Sequence, residues 1–207
     1  LLLPEEYGFV AIINIFAGFI QLFSTLGIGA SVIRSDYGYT YHKHLNSLGV
    51  WLGATLTIVL IILSYPVSLF FNNEALILPI IVVSFRFLLD SVTYIPYAIL
   101  AKRLKFNQSG SAKLIGTGFQ ITITIILAFL GLSYWSLIFP MLISPVAQYI
   151  YLRRHVDLKL NVYGWKATRR TIIGIKSLMG NLSLNNLLKY WDGNADKLII
   201  GKLYTES

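Results

Sequence analysis

The 207-residue chain contains no cysteine, which excludes both a disulfide framework and a thiolate metal site. Charge is scarce as well: 13% of residues are Asp, Glu, Lys or Arg, against about 25% in an average soluble domain. Acids number only 9, so the net charge is +8. A nucleic-acid binder would carry such an excess on a folded polar surface. Here the basic residues fall in short segments between long apolar runs, and nucleic acid is excluded as a partner. The three histidines include His42 and His44. At i,i+2 they do not share a helix face, so they read as solvated loop residues and not as metal ligands. No motif implies a cofactor.

What remains is apolar: 56% of residues are hydrophobic and the mean hydropathy is +0.67. Five runs meet the length of a spanning helix, about 18 largely uncharged residues. They are Phe9–Ile33, Leu48–Phe71, Ala75–Leu100, Leu114–Leu132 and Ser133–Leu152. A sixth, Leu182–Tyr204, is long enough but carries Lys189, Asp192, Asp196 and Lys197. Hydrocarbon cannot satisfy backbone polar groups, so these runs are expected to be helices of an all-α transmembrane bundle. Leu1–Leu3 run into Pro4 without a basic region or cleavage site, which reads as the tail of a preceding span and not a signal peptide. Both ends read as cuts.

Thirteen of the 17 lysines and arginines lie in Arg34–Ser47, Ala101–Lys113 and Arg153–Gly180. The alternate connections, Leu1–Gly8, Asn72–Glu74 and Gly131–Tyr134, hold none. The positive-inside rule makes the basic side cytoplasmic and places Pro4, Asn72 and Ser133 outside. Aromatic residues near the span ends, such as Phe70, Phe71, Tyr134 and Trp135, fit an interfacial belt. The Arg153–Gly180 segment sets basic residues beside Ile172, Ile173, Ile175 and Leu178, the pattern of a helix lying on an anionic leaflet.

Within the five clear spans the only charges are Arg86 and Asp90, near the middle of the third. Spaced i,i+4, they share a face and can pair. An isolated Arg at that depth costs roughly 2.5–3.5 kcal/mol, so the pair is expected to face protein or a hydrated cavity. It either lines a transport path or locks two helices. In the sixth span Asn181, Asn185, Lys189, Asp192 and Asp196 recur at helical spacing, which suits a cavity wall or a helix at the inner surface. Gly49 and Gly53 form a small-residue pair suited to close helix packing. Pro66, Pro96, Pro140 and Pro145 lie within or at the ends of spans, where kinks are tolerated.

Several stretches resemble the Wzx-type oligosaccharide flippases of the multidrug/oligosaccharidyl-lipid/polysaccharide exporter superfamily. Leu3-Pro4-Glu5-Glu6-Tyr7-Gly8 is similar to that family's turn after its first helix. Leu26-Gly27-Ile28-Gly29-Ala30 through Arg34 is similar to the glycine-rich inner end of its second. Pro96 to Phe106, with Leu100, Arg103 and Leu104, is similar to the segment leaving its fourth. Tyr134-Trp135-Ser136-Leu137 and Asp196-Lys197-Leu198-Ile199-Ile200-Gly201 are similar to a later turn and to its seventh helix. The resemblance implies a MATE-like bundle of about twelve to fourteen helices in two pseudo-equivalent halves, of which about six are present here.

It further implies a multi-pass protein of the cytoplasmic (inner) membrane that translocates a polyprenyl-pyrophosphate-linked oligosaccharide by alternating access, among membrane lipids and other polysaccharide-assembly proteins. Arg86 and Lys189 would then meet the anionic headgroup. Asp90, Asp192 and Asp196 would orient those cations, bind sugar hydroxyls or couple to an ion, and Arg34 would sit at the inner mouth. The alternative within the superfamily is a small-molecule or drug antiporter. An enzyme is not expected, because the one long loop offers a single acid, Asp157, and no paired carboxylates or phosphate-binding glycine loop.

Overall fold

A computed structural model describes residues 4–25, 29, 32–33, 39–158, 162–164 and 168. Five long helices carry most of these residues: α1 (Pro4–Thr25), α2 (Tyr39–Phe70), α3 (Ile77–Lys102), α4 (Phe106–Phe129) and α5 (Trp135–His155). A 3-10 turn, Glu74–Leu76, precedes α3. There is no strand among the described residues, and all five helices are long and apolar enough to cross a membrane. The expected Leu182–Tyr204 span and most of the Arg153–Gly180 segment lie outside the described residues.

The apolar runs locate the spans, but the helices outrun them at the basic side. α2 has 32 residues, about 48 Å of helix against a hydrocarbon core of about 30 Å. Its first nine residues, 39–47, were expected in a loop. They are helical because Leu45 and Leu48 bury completely or nearly so against the ends of the neighbouring helices. Ser47 also donates back to the Lys43 carbonyl at 3.0 Å. His42 and His44 are therefore not solvated loop residues. They stand part-buried on α2, and the His44 ring lies 4.6 Å from that of Tyr163. α4 likewise begins at Phe106, eight residues before Leu114, around the buried Ala112. Charge marks where the membrane ends, whereas helix boundaries follow the burial of an apolar face.

Two tight hairpins organise the bundle. α2 reverses into α3 through Asn72, at φ 48, and Asn73, whose side chain caps the 3-10 turn by accepting from the Ala75 amide at 3.0 Å. α4 reverses into α5 through Gly131 (φ 74) and Ser133 (φ 51). Ser133 also donates to the Glu6 carboxylate, which ties this turn to the outer end of α1. α3 is central: it packs on α2, α5 and α1, while α4 packs mainly on α5.

α2 and α3 approach closely because their facing residues are small. A Cβ at Gly53 would lie 2.8 Å from the Phe87 carbonyl oxygen, a separation that side chains do not tolerate. One turn on, the Thr57 hydroxyl lies 2.9 Å from the Gly53 carbonyl oxygen and 3.0 Å from that of Ser84. The core divides at this level. One apolar cluster, around Leu60, Ile80 and Phe87, fills the outer half, and another, around Leu45, Ile95 and Leu152, fills the inner half. Pro66, Pro96, Pro140 and Pro145 are all inside helices.

Candidate functional site

The site is built on the face of α3 next to the one that packs on α2. Arg86, Asp90, Tyr94, Tyr97 and Ala101 follow one another at intervals of three or four residues, so they form a single stripe along the helix. Ser84, Phe87 and Ser91 are buried on the adjoining side, where the Ser84 and Phe87 carbonyls and the Ser91 side chain lie against α2. The close α2 contact thereby fixes the rotation of α3 and the direction of the stripe.

The pairing expected from i,i+4 spacing is present: Arg86 Nε donates to Asp90 Oδ2 at 3.2 Å. The Arg86 side chain is 39% exposed and that of Asp90 14%. Asp90 therefore engages only the Nε edge. The terminal guanidinium nitrogens, with four N–H donors between them, have no hydrogen-bond partner among the described residues. A charged fork held by one edge and open at the other suits binding of an anion.

Neutral polar groups continue the stripe toward the basic end of α3, marked by Lys102 and Arg103. The Tyr94 hydroxyl accepts from Gln21 Nε2 at 3.0 Å and donates to Ser24 Oγ at 2.9 Å, which joins α3 to α1. One turn further, the Tyr97 hydroxyl donates to Gln148 Oε1 at 2.7 Å, and Gln148 Nε2 donates to Ser144 Oγ at 3.0 Å, which joins α3 to α5. Gln148 fits there because Gly116 of α4 has no side chain: a Cβ would come within 2.5 Å of it. Lys113 of α4 places its ammonium 5.8 Å from the Tyr97 ring centroid, within cation–π range. Tyr94 and Tyr97 thus stand between α1 on one side and α5 on the other. At the inner end of the stripe lies an open groove of about 260 Å³, bounded by Gly29, Ile33, Tyr94, Tyr97, Ala98 and Ala101.

Of the six residues singled out in the sequence, Arg86 and Asp90 are brought together here. Arg34, Lys189, Asp192 and Asp196 lie outside the described residues. Gln21, Ser24, Tyr94, Tyr97 and Gln148 were not singled out, since none is charged. Their signal is present nonetheless: Gln21 and Gln148 are amides inside otherwise apolar runs, and Tyr94 lies one turn beyond Asp90.

Five helices long and apolar enough to span a bilayer define a multi-pass α-helical membrane protein. The whole chain, residues 1–207, matches the family described as polysaccharide biosynthesis protein, and the chain belongs to that family. No curated protein and no solved structure matches it.

Proposed function

We propose that this chain is part of a flippase that carries a lipid-linked oligosaccharide across the cytoplasmic membrane during surface polysaccharide synthesis. The observation that carries the reading is the Arg86 guanidinium, held along its Nε edge by Asp90 and open at its other end, at mid-span depth. An arginine placed so deep is costly unless something there uses it. A polyprenyl pyrophosphate headgroup supplies the matching charge. The sugar it bears is too polar to cross hydrocarbon unaided, so a hydrated cleft with hydrogen-bonding walls suits it. Membership of a polysaccharide biosynthesis family supports this substrate class over a drug or a simple cation.

In this reading Arg86 and Lys189 meet the phosphates. Asp90 orients Arg86, while Asp192 and Asp196 bind sugar hydroxyls or a coupling ion. Arg34 receives the headgroup at the inner mouth. The lipid tail stays in the bilayer while two halves of the complete transporter rock about the cleft. In the full-length protein, Arg86→Ala is expected to abolish complementation of a null strain for surface polysaccharide, with membrane abundance unchanged. Surface polymer at the wild-type level in that variant overturns the assignment.

A further inference from the structure

Among the polar side chains of the described spans with no place in the network above is Asn14. Asn14 sits in the interior of α1 and is exposed. It lies seven residues before Gln21, two helical turns, and therefore on the same face of α1. Gln21 fixes where that face points, because its amide reaches Tyr94 on α3. The chain crosses the membrane three times from α1 to α3, so these two helices run in the same direction. Two turns back from Tyr94 is Phe87, the neighbour of Arg86. Asn14 is therefore at about the same height as Arg86 along the bundle. The packing agrees, since Val10 and Ile13 of α1 share one buried cluster with Val83 and Phe87 of α3.

An exposed amide at this depth cannot face hydrocarbon without losing its hydrogen bonds, so it belongs to the hydrated side of α1. Its hydrogen-bonding capacity is unspent among the described residues. An amide offers two donors and an acceptor, and Gln21 commits its Nε2 to Ser24 and Tyr94 while its Oε1 has no partner among the described residues. A wall of uncharged groups that both donate and accept is the complement of vicinal hydroxyls.

We infer that Asn14 and the free end of the Gln21 amide form an uncharged subsite that takes the sugar of the substrate while Arg86, at the level of Asn14, takes its phosphate. This rests on the flippase reading and divides its substrate between two walls of one cleft: α1 selects the sugar and α3 holds the charge.

The test measures affinity of the purified full-length protein for two lipids, polyprenyl pyrophosphate and the same lipid bearing one hexose. Asn14→Leu is expected to weaken binding of the hexose-bearing lipid about tenfold, the scale of one lost hydrogen bond away from bulk water, and to leave the bare lipid unchanged. Asn14→Gln, which keeps the amide, is expected to restore most of that loss. Arg86→Gln is expected to weaken both lipids alike. Equal loss of both lipids in Asn14→Leu marks Asn14 as a helix-packing amide and overturns the subsite, as does loss of neither. Wild-type protein that binds neither lipid contradicts the flippase reading itself and takes the subsite with it.

Discussion

Arg86 and Asp90 show how far a single residue pair can be read before any coordinates exist. Two opposite charges one turn apart in an otherwise uncharged run must share a face, and the 3.2 Å contact follows from helix geometry alone. Their surroundings do not follow. Tyr94, Tyr97, Gln21 and Gln148 resemble ordinary interfacial or packing residues in the sequence, and only the meeting of three helices makes them a wall. Position decides function for such neutral groups, whereas a charge in hydrocarbon announces itself by its cost. The same contrast predicts unequal effects. Arg86→Ala removes the charge that the substrate meets and ends surface polymer, the complementation result expected above. Asn14→Leu removes one neutral contact and produces the roughly tenfold, sugar-selective loss in affinity.

The helices themselves were legible from apolar length, and their ends were not. Leu48 marks the start of an uncharged run, yet α2 begins at Tyr39, because Leu45 needs burial and a helix already in register supplies it. His42 and His44 are helical for that reason, although their chemistry suits a loop. Small residues were also legible as packing sites, and the structure ranks them. A Cβ at Gly53 collides with backbone at 2.8 Å, while one at Gly118 of α4 meets nothing within 4 Å. Gly53→Ala is therefore expected to lower the melting temperature of the detergent-solubilised full-length protein, with a cost of about 1–3 kcal/mol for forced separation of α2 and α3. Gly118→Ala is expected to leave it unchanged or to raise it, since Ala is the better helix former by about 1 kcal/mol. A thermal melt of both variants checks this: equal destabilisation contradicts the account of the α2–α3 contact.

At the scale of the molecule, charge asymmetry sets the topology and topology sets what the cleft connects. The Asn72–Glu74 connection has no Lys or Arg, while Lys102, Arg103, Lys105 and Lys113 gather around the opposite turn. The absence of cysteine makes the orientation directly measurable, because any introduced thiol is the only one in this sequence. Asn73→Cys is expected to react with a membrane-impermeant maleimide in intact cells, and Lys105→Cys only after permeabilisation. Reversed labelling contradicts the positive-inside assignment. With that orientation the tyrosine-lined groove beside Ala101 opens toward the cytoplasmic leaflet, where a lipid-linked sugar is assembled in this reading, and Arg86 lies roughly 20 Å deeper along α3.

The central claim is transport of a lipid-linked sugar, and the most direct measurement is where that lipid accumulates. The complete gene is deleted, the strain is supplied with either the wild-type or the Arg86→Ala protein, and lipid-linked intermediates are assayed on each leaflet alongside surface polysaccharide. The account predicts intermediates trapped on the cytoplasmic leaflet without surface polymer in the deletion and in Arg86→Ala, with wild-type protein clearing them. Normal polymer in the deletion, accompanied by altered drug tolerance, contradicts it and assigns the cleft to small-molecule export.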